Sequence, residues 1–143
     1  MKNLLKILFI AVIGVSLTSC GNSKTSESEN IDSTKTEYGI AKVDVFYFHA
    51  TRRCTTCLEI EKVANEIVND EYKNKDVRFF SINFDEEANS EISEKFNVSW
   101  SSLFISSGNQ VEDLTDLAFQ TATAEPHKLK EKMRSVIDTY LNQ

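Results

Sequence analysis

The stretch HATRRCTTCLEIEK, from His49 to Lys62, contains two cysteines, Cys54 and Cys57, that are separated by two threonines. The cysteines follow an apolar run and open a segment with helical spacing of its apolar residues. A C-x-x-C pair can exchange disulfides, hold a metal ion or close a turn. The choice between these uses therefore depends on the compartment of the protein, on its fold and on the side chains near the cysteines.

The first nineteen residues, 1–19, have the features of an export signal. Lys2 and Lys6 provide a positive start, and the apolar core LLKILFIAVIGVSL is too short and too early for a folded domain. The segment ends in LTSCG, which resembles the bacterial lipoprotein box. This resemblance implies cleavage before Cys20 and acylation of that residue, and several acyl chains attach a protein stably to a membrane. We expect a lipid-anchored protein of the bacterial cell envelope, with its domain outside the cytoplasm; the alternatives are a secreted protein or an uncleaved anchor.

The chain after the signal divides into a tether and one domain. Residues 20–39 are rich in Ser, Thr, Asn and charged residues and bury too little surface to fold, so they predict a flexible tether. Residues 40–143 have the size of a single domain. Without Lys2 and Lys6, the 16 basic residues become fourteen against 22 acidic ones, so the charge is −8 rather than −6. This acidity argues against nucleic acid as a partner, and we expect a monomer whose membrane contact is the lipid.

Helical and strand-like patterns alternate through this domain. An apolar β-branched and aromatic run predicts a central strand, and the cysteines open a helix with a buried stripe. Pro126 fits the first position of a last helix. The predicted elements, in order, are a strand at 42–50, a helix from the cysteines, a strand at 77–84, a short helix ending near Phe96, strands at 102–106 and 110–116, and the helix from Pro126. The order βαβαββα predicts an α/β fold, a four-stranded mixed sheet flanked by helices.

Two blocks of sequence carry a resemblance to the thioredoxin-like superfamily across residues 42–142. The first is the strand, loop and Cys54-Thr55-Thr56-Cys57 that open a helix, and the second is SINFDEEANSEISEKFNVSWSSLFI. The resemblance implies a thiol–disulfide oxidoreductase that needs no cofactor or metal. Its partners would be proteins carrying a dithiol or a disulfide.

Three departures from the family pattern affect the surroundings of the cysteines. Arg53, beside Arg52, replaces the usual tryptophan, and no acidic residue stands in the middle of the first strand. Ser102 occupies the position of the family's cis-proline, in a turn that faces the cysteines and pairs with partner peptide. We expect Arg52, Arg53 and His49, together with the turn residues Trp100, Ser101 and Ser102, to bind substrate or to modulate the dithiol.

The two cysteines are expected to have different roles. The reactive form of cysteine is the thiolate. Cys54 lies at a helix N-terminus, where the dipole and the two arginines lower the pKa of its thiol. Cys57, on the apolar stripe, is more buried. Cys54 is therefore the predicted attacking sulfur and Cys57 the resolving one, with His49 as a conceivable proton acceptor.

Three other uses of the dithiol stay open. A structural disulfide that closes so short a loop would stabilise the fold only modestly. Two thiolates, with or without His49, can bind Cu(I) or another soft metal. The fold can also serve as a binding module without catalysis. Because an exported protein meets an oxidising compartment, disulfide exchange is the favoured prediction.

Overall fold

The computed structural model describes residues 38–73 and 75–143. The predicted signal peptide 1–19 and Cys20 lie outside the described residues, as does the tether apart from Tyr38 and Gly39. In the part of the chain that is described, no helix combines the length and the apolar character needed to cross a membrane.

The elements follow the predicted order, with one addition. They are strand β1 (Val43–His49), helix α1 (Thr55–Glu66) continuing into a π-helical stretch (Ile67–Glu71), strand β2 (Val77–Asn83), a 3₁₀ turn (Glu87–Asn89), helix α2 (Ser90–Lys95), strands β3 (Ser102–Ser107) and β4 (Gln110–Asp113), and helices α3 (Thr115–Thr121) and α4 (Pro126–Leu141). All four predicted strands and all three predicted helices are present. The addition is α3, which no sequence pattern indicated.

The strands form one mixed sheet in the order β2-β1-β3-β4. β1 pairs with β2 in parallel, whereas the β1–β3 and β3–β4 pairs are antiparallel. This confirms the predicted four-stranded mixed sheet. The pairing brings the C-terminal ends of β1 and β2 and the N-terminal end of β3 to one edge of the sheet, since His49 aligns with Asn83 and Phe48 with Ser102.

Side chains of β1 are buried on both faces of the sheet, as expected for a central strand. Val45 and Tyr47 belong to the core beneath α1, α3 and α4, which also contains Cys57. Phe46 and Phe48 belong to a second, aromatic-rich core on the opposite face. The helices therefore cover both faces. The apolar face of α4 is buried in full, and it consists of Leu129, Met133, Val136, Ile137 and Tyr140.

Strand β4 is shorter than the sequence predicts and gives way to α3. The prediction extended this strand over 110–116, but it ends at Asp113. The Asp113 Oδ1 atom accepts a hydrogen bond from the Thr115 N–H over 2.8 Å, and the Thr115 hydroxyl accepts one from the Leu103 N–H over 3.0 Å. Short polar side chains that bind nearby backbone in this way favour turns over strand continuation.

Tyr38, two residues before the predicted boundary at residue 40, packs against the sheet. The Tyr38 ring meets the rings of Phe46 and Phe80 edge-on, with centroids 5.7 and 5.0 Å apart. The next residue, Gly39, has φ +80° and donates its N–H to Asp44 Oδ2 over 2.7 Å. These contacts fix the point where the N-terminal segment joins the sheet, at the end of β1 remote from the cysteines.

Candidate active site

Cys54 and Cys57 are joined as a disulfide where β1 leads into α1. Their Cα atoms are 5.0 Å apart, within the usual range for a disulfide. Cys54 is the N-cap residue of α1, and Cys57 lies in its first turn. The pair therefore stands at the sheet edge where β1, β2 and β3 meet.

The two sulfurs differ in exposure and in their relation to the helix. Cys54 is exposed, whereas Cys57 is 8% exposed and packs into the core under α1. The Cys57 N–H donates a hydrogen bond to Cys54 Sγ over 3.1 Å. The first turn of α1 contains no acidic side chain. An anion at Cys54 would thus meet a helix N-terminus whose first turn adds no negative side chain.

The loop before the cysteines is held by the segment that follows β2. The Thr51 N–H donates to Asp85 Oδ2 over 2.8 Å, and Asn83 Nδ2 donates to the Thr51 hydroxyl over 3.1 Å. The Phe84 N–H donates to the His49 carbonyl over 3.0 Å. The sequence did not indicate the contact with Asp85, because it joins residues 34 positions apart.

The predicted substrate-facing turn, residues 100–102, lies at the same edge of the sheet. Ser102 is 4% exposed, and its hydroxyl donates to the Trp100 carbonyl over 2.9 Å. Trp100 is 55% exposed, and its ring stacks on Phe119 of α3 with centroids 5.8 Å apart. Ser101 reaches towards the Tyr47 hydroxyl. The turn thus carries a partly exposed indole at the end of the sheet where β1 leads into the dithiol loop.

Topology and dithiol position together identify the architecture. The sheet has the strand order β2-β1-β3-β4, with one parallel pair and a closing antiparallel hairpin, and the chain ends in a helix. The C-x-x-C pair lies at the start of α1. The domain has a thioredoxin-like fold. A disulfide-forming C-x-x-C pair in such a fold supports a function in thiol–disulfide redox chemistry in general.

Comparisons with known proteins give structural neighbours only. No protein-family profile and no curated protein matches the sequence. Thioredoxin O2 from Arabidopsis thaliana, in its oxidized state, is 26% identical with a TM-score of 0.49, over 66% of this chain and 75% of that chain. Trxlp from Edwardsiella tarda is 19% identical, with a TM-score of 0.48, over 65% of this chain and 82% of that chain. The germline-specific thioredoxin Deadhead from Drosophila melanogaster is 24% identical, with a TM-score of 0.47, over 68% of this chain and 83% of that chain.

The two arginines of this thioredoxin-like site have different environments. Arg52 is exposed. Arg53 keeps only 19% of its side chain exposed, and its Nη2 lies 2.6 Å from Glu61 Oε2 on α1. The guanidinium also lies over the Tyr47 ring, 5.6 Å from its centroid. The positive charge of Arg53 is therefore shared with a carboxylate, whereas that of Arg52 lies at an exposed position.

Tyr47 and Glu61 are site residues that the sequence did not indicate. The Tyr47 hydroxyl is buried and has no aligned hydrogen-bond partner among the described residues. Burial raises the pKa of Tyr47, while Arg53 and Ser101 oppose that rise. Burial also opposes ionisation of Glu61, but a hydrogen bond from Ser81 and the Arg53 guanidinium outweigh it and hold the pKa of Glu61 below its ordinary value.

His49 is a half-buried residue at the end of β1. Its Nδ1 lies 3.0 Å from the Ala50 carbonyl oxygen, which suits an Nδ1–H donor, and its ring centroid lies 5.9 Å from that of Tyr47. No hydrogen bond joins it to either cysteine among the described residues. Within residues 38–73 and 75–143, no three His, Cys, Asp or Glu side chains are grouped to hold a metal ion.

Proposed function

We propose that this protein is a thiol–disulfide oxidoreductase of the bacterial cell envelope that exchanges disulfides with partner proteins through Cys54 and Cys57. One observation carries the proposal. The exposed sulfur of Cys54 caps α1 and is bonded to a sulfur that the core of the domain buries. This arrangement leaves one sulfur open to a partner and keeps the other within reach for the second step.

The exchange proceeds through two displacements at sulfur. In the reduced protein, the Cys54 thiolate attacks one sulfur of a partner disulfide, so a Cys54–partner bond forms and the second partner sulfur leaves as thiolate. Cys57 then loses its proton and attacks the Cys54 sulfur. The Cys54–Cys57 disulfide forms, and the first partner sulfur leaves. The partner gains two electrons, this protein loses two, and the reverse sequence oxidises a partner dithiol.

The surface around Cys54 supports a polypeptide partner. The turn formed by Trp100, Ser101 and Ser102 offers an exposed indole next to the sheet edge that bears the cysteines. Arg52 adds an exposed positive charge in the loop that leads to Cys54. An extended chain that presents a cysteine can therefore contact an aromatic surface and a cation while its sulfur meets Cys54.

The membrane attachment is proposed from the sequence. Lys2, Lys6, the apolar core and the LTSC box ahead of Gly21 support lipidation of Cys20. Replacing Cys20 by Ala is expected to move the protein from the membrane fraction to the soluble fraction and to abolish labelling by radioactive palmitate. Retention of the Cys20→Ala protein in washed membranes would contradict a lipid anchor.

Redox titration and mixed-disulfide trapping test the exchange function. The potential of the Cys54–Cys57 pair is titrated in glutathione buffers and detected by alkylation. It is expected to lie well above about −300 mV, whereas structural disulfides lie below that value. The Cys57→Ser protein should accumulate mixed disulfides with envelope proteins, and the Cys54→Ser protein should not. A pair far below that potential, or a reduced pair that binds one copper ion and traps no partner, would refute the proposal.

A further inference from the structure

Arg53 and Glu61 form a partly buried ion pair between the residue that precedes Cys54 and the helix that carries Cys57. Arg53 precedes Cys54 in the chain, and Glu61 lies one helical turn beyond Cys57 on α1. Their side chains are 19% and 26% exposed, and Nη2 and Oε2 lie 2.6 Å apart. Charges this poorly solvated interact more strongly with their surroundings than surface charges do.

Further contacts hold the pair in place. The Ser81 hydroxyl of β2 donates to the second carboxylate oxygen of Glu61. The Arg53 guanidinium lies over the Tyr47 ring, and its Nε is buried without a hydrogen-bond partner among the described residues. Glu61 is therefore the carboxylate that meets this guanidinium, and Tyr47 supplies the surface on which it lies. The Arg53 side chain is constrained from two sides rather than free in solution.

The pair has opposite effects on a negative charge at Cys54. A nearby guanidinium stabilises the thiolate and lowers the pKa of the thiol, whereas a nearby carboxylate raises it. Because Glu61 neutralises much of the Arg53 charge, the thiolate receives less stabilisation than an unpaired arginine would give. In the part of the chain that the structure describes, the other charged or titratable groups that influence this pair are His49 and Tyr47.

We propose that Glu61 is a positioning residue that fixes Arg53 beside Cys54 and limits how strongly Arg53 stabilises the Cys54 thiolate, so that this ion pair sets the redox potential of the dithiol. The inference rests on the proposed exchange function for its biological use. The predicted effect of the ion pair on the pKa of the Cys54 thiol can be measured without any partner protein. A lower thiolate pKa stabilises the reduced form and makes the pair more oxidising.

A role for Glu61 as the proton acceptor of Cys57 is the competing explanation. Glu61 binds two donors, Arg53 and Ser81, which engage both of its carboxylate oxygens. These donors favour the ionised carboxylate and make it a weak base. The ion pair therefore acts through its charge on the thiolate rather than by accepting a proton.

The test measures the Cys54 thiolate pKa by absorbance at short ultraviolet wavelength in the full chain carrying Cys57→Ala. Glu61→Gln removes the carboxylate charge at constant shape. It is expected to lower the pKa of the Cys54 thiol, with an acid dissociation constant about threefold to tenfold larger. Arg53→Gln is expected to raise this pKa by a similar factor in the dissociation constant, and Arg53→Lys is expected to keep it near the parent value. With both cysteines present, Glu61→Gln should be more oxidising and Arg53→Gln more reducing.

Glu59→Gln is the matched control. Glu59 lies on the same helix, is half-buried, and pairs with Lys62 at 3.7 Å, away from Arg53. Its substitution removes the same charge and is expected to leave the thiolate pKa unchanged. Loss of packing alone would destabilise both Glu61→Gln and Arg53→Gln but would not shift the pKa in opposite directions.

The outcomes separate this inference from the proposed function. Opposite shifts for Glu61→Gln and Arg53→Gln support the inference even if no partner is trapped. A Glu61→Gln protein whose pKa and potential match those of Glu59→Gln, or whose pKa rises, overturns it even if partners are trapped. If Glu61→Gln fails to fold, the Arg53→Gln and Arg53→Lys pair decides, since only loss of the positive charge should raise the pKa.

Discussion

The backbone N–H of Cys57 donates to the sulfur of Cys54 across 3.1 Å, so the first turn of α1 binds the reactive atom through its own backbone. The N-terminal N–H groups of a helix have no partner within the helix and need an acceptor. Here the sulfur fills that position, as a Ser or Asp side chain does in other N-caps. The same contact that caps the helix therefore favours the ionised sulfur after reduction.

Cys57→Ala should leave Cys54 with a thiol pKa clearly below about 8.5, the value of a free cysteine. The substitution keeps the backbone N–H and the helix N-terminus and removes only the second sulfur. Thiolate absorbance against pH measures this value. The same protein unfolded in guanidinium chloride is the control and should return to the free value; a folded-state pKa at or above that value would contradict the effect of the helix.

Asp85→Ala should loosen the loop that leads to the dithiol. The Asp85 carboxylate accepts the Thr51 N–H over 2.8 Å, and loss of one such bond costs about 1 kcal/mol. Hydrogen exchange at the Thr51 amide is expected to accelerate about fivefold, which corresponds to that energy. Asp85→Asn keeps an acceptor oxygen and should remain close to wild type. Equal exchange in the two variants would show that the contact does not hold the loop.

Tyr47→Phe and Tyr72→Phe should have different effects on stability. Both tyrosines are buried, but the Tyr72 hydroxyl donates to Asp138 Oδ1 over 2.9 Å, and the Tyr47 hydroxyl has no aligned partner among the described residues. Denaturant unfolding should show a loss of about 1–2 kcal/mol for Tyr72→Phe and none, or a slight gain, for Tyr47→Phe. A loss above about 1 kcal/mol for Tyr47→Phe would mean that its hydroxyl is bound in solution.

Stability should fall at high pH in part through Tyr72. Burial, together with the hydrogen bond to Asp138, raises the pKa of Tyr72 to about 12. In the unfolded chain a tyrosine ionises near pH 10, so between about pH 10 and about 12 the unfolded state releases a proton that the folded state retains. The stability advantage of wild type over Tyr72→Phe should therefore be full below pH 10 and shrink as the pH rises to 12. A constant difference in unfolding free energy across that range would contradict the raised pKa.

Much of the architecture could be predicted because its signals are local. The β-branched and aromatic runs mark β1 and β2, and Pro126 marks the first residue of α4. Helix α3 could not be predicted in this way. It has seven residues, and its buried contacts come from Thr115, Ala118 and Thr121, which do not form an apolar stripe. Its existence depends on packing against α1 and α4 and on side-chain contacts to the backbone of β3.

The active site likewise has some features that follow from local sequence spacing and others that depend on contacts made in the fold. The positions of Cys54 at the helix start and Cys57 on the buried stripe follow from spacing alone. The pairing of Arg53 with Glu61 does not, because it joins a loop residue to a helix residue eight positions later through the directions of two long side chains. Tyr47 was likewise unremarkable in sequence as one aromatic residue among several on β1. Its significance appears only when the guanidinium is seen over its ring.

The packing of Tyr38 against Phe46 and Phe80 places the first described residue at the end of the sheet opposite to the dithiol. Tyr38 joins the sheet at the start of β1, whereas the dithiol follows the end of that strand, and seven residues of strand span roughly 20 Å. The described chain therefore enters the sheet at one end of β1 and presents its two sulfurs beyond the other end.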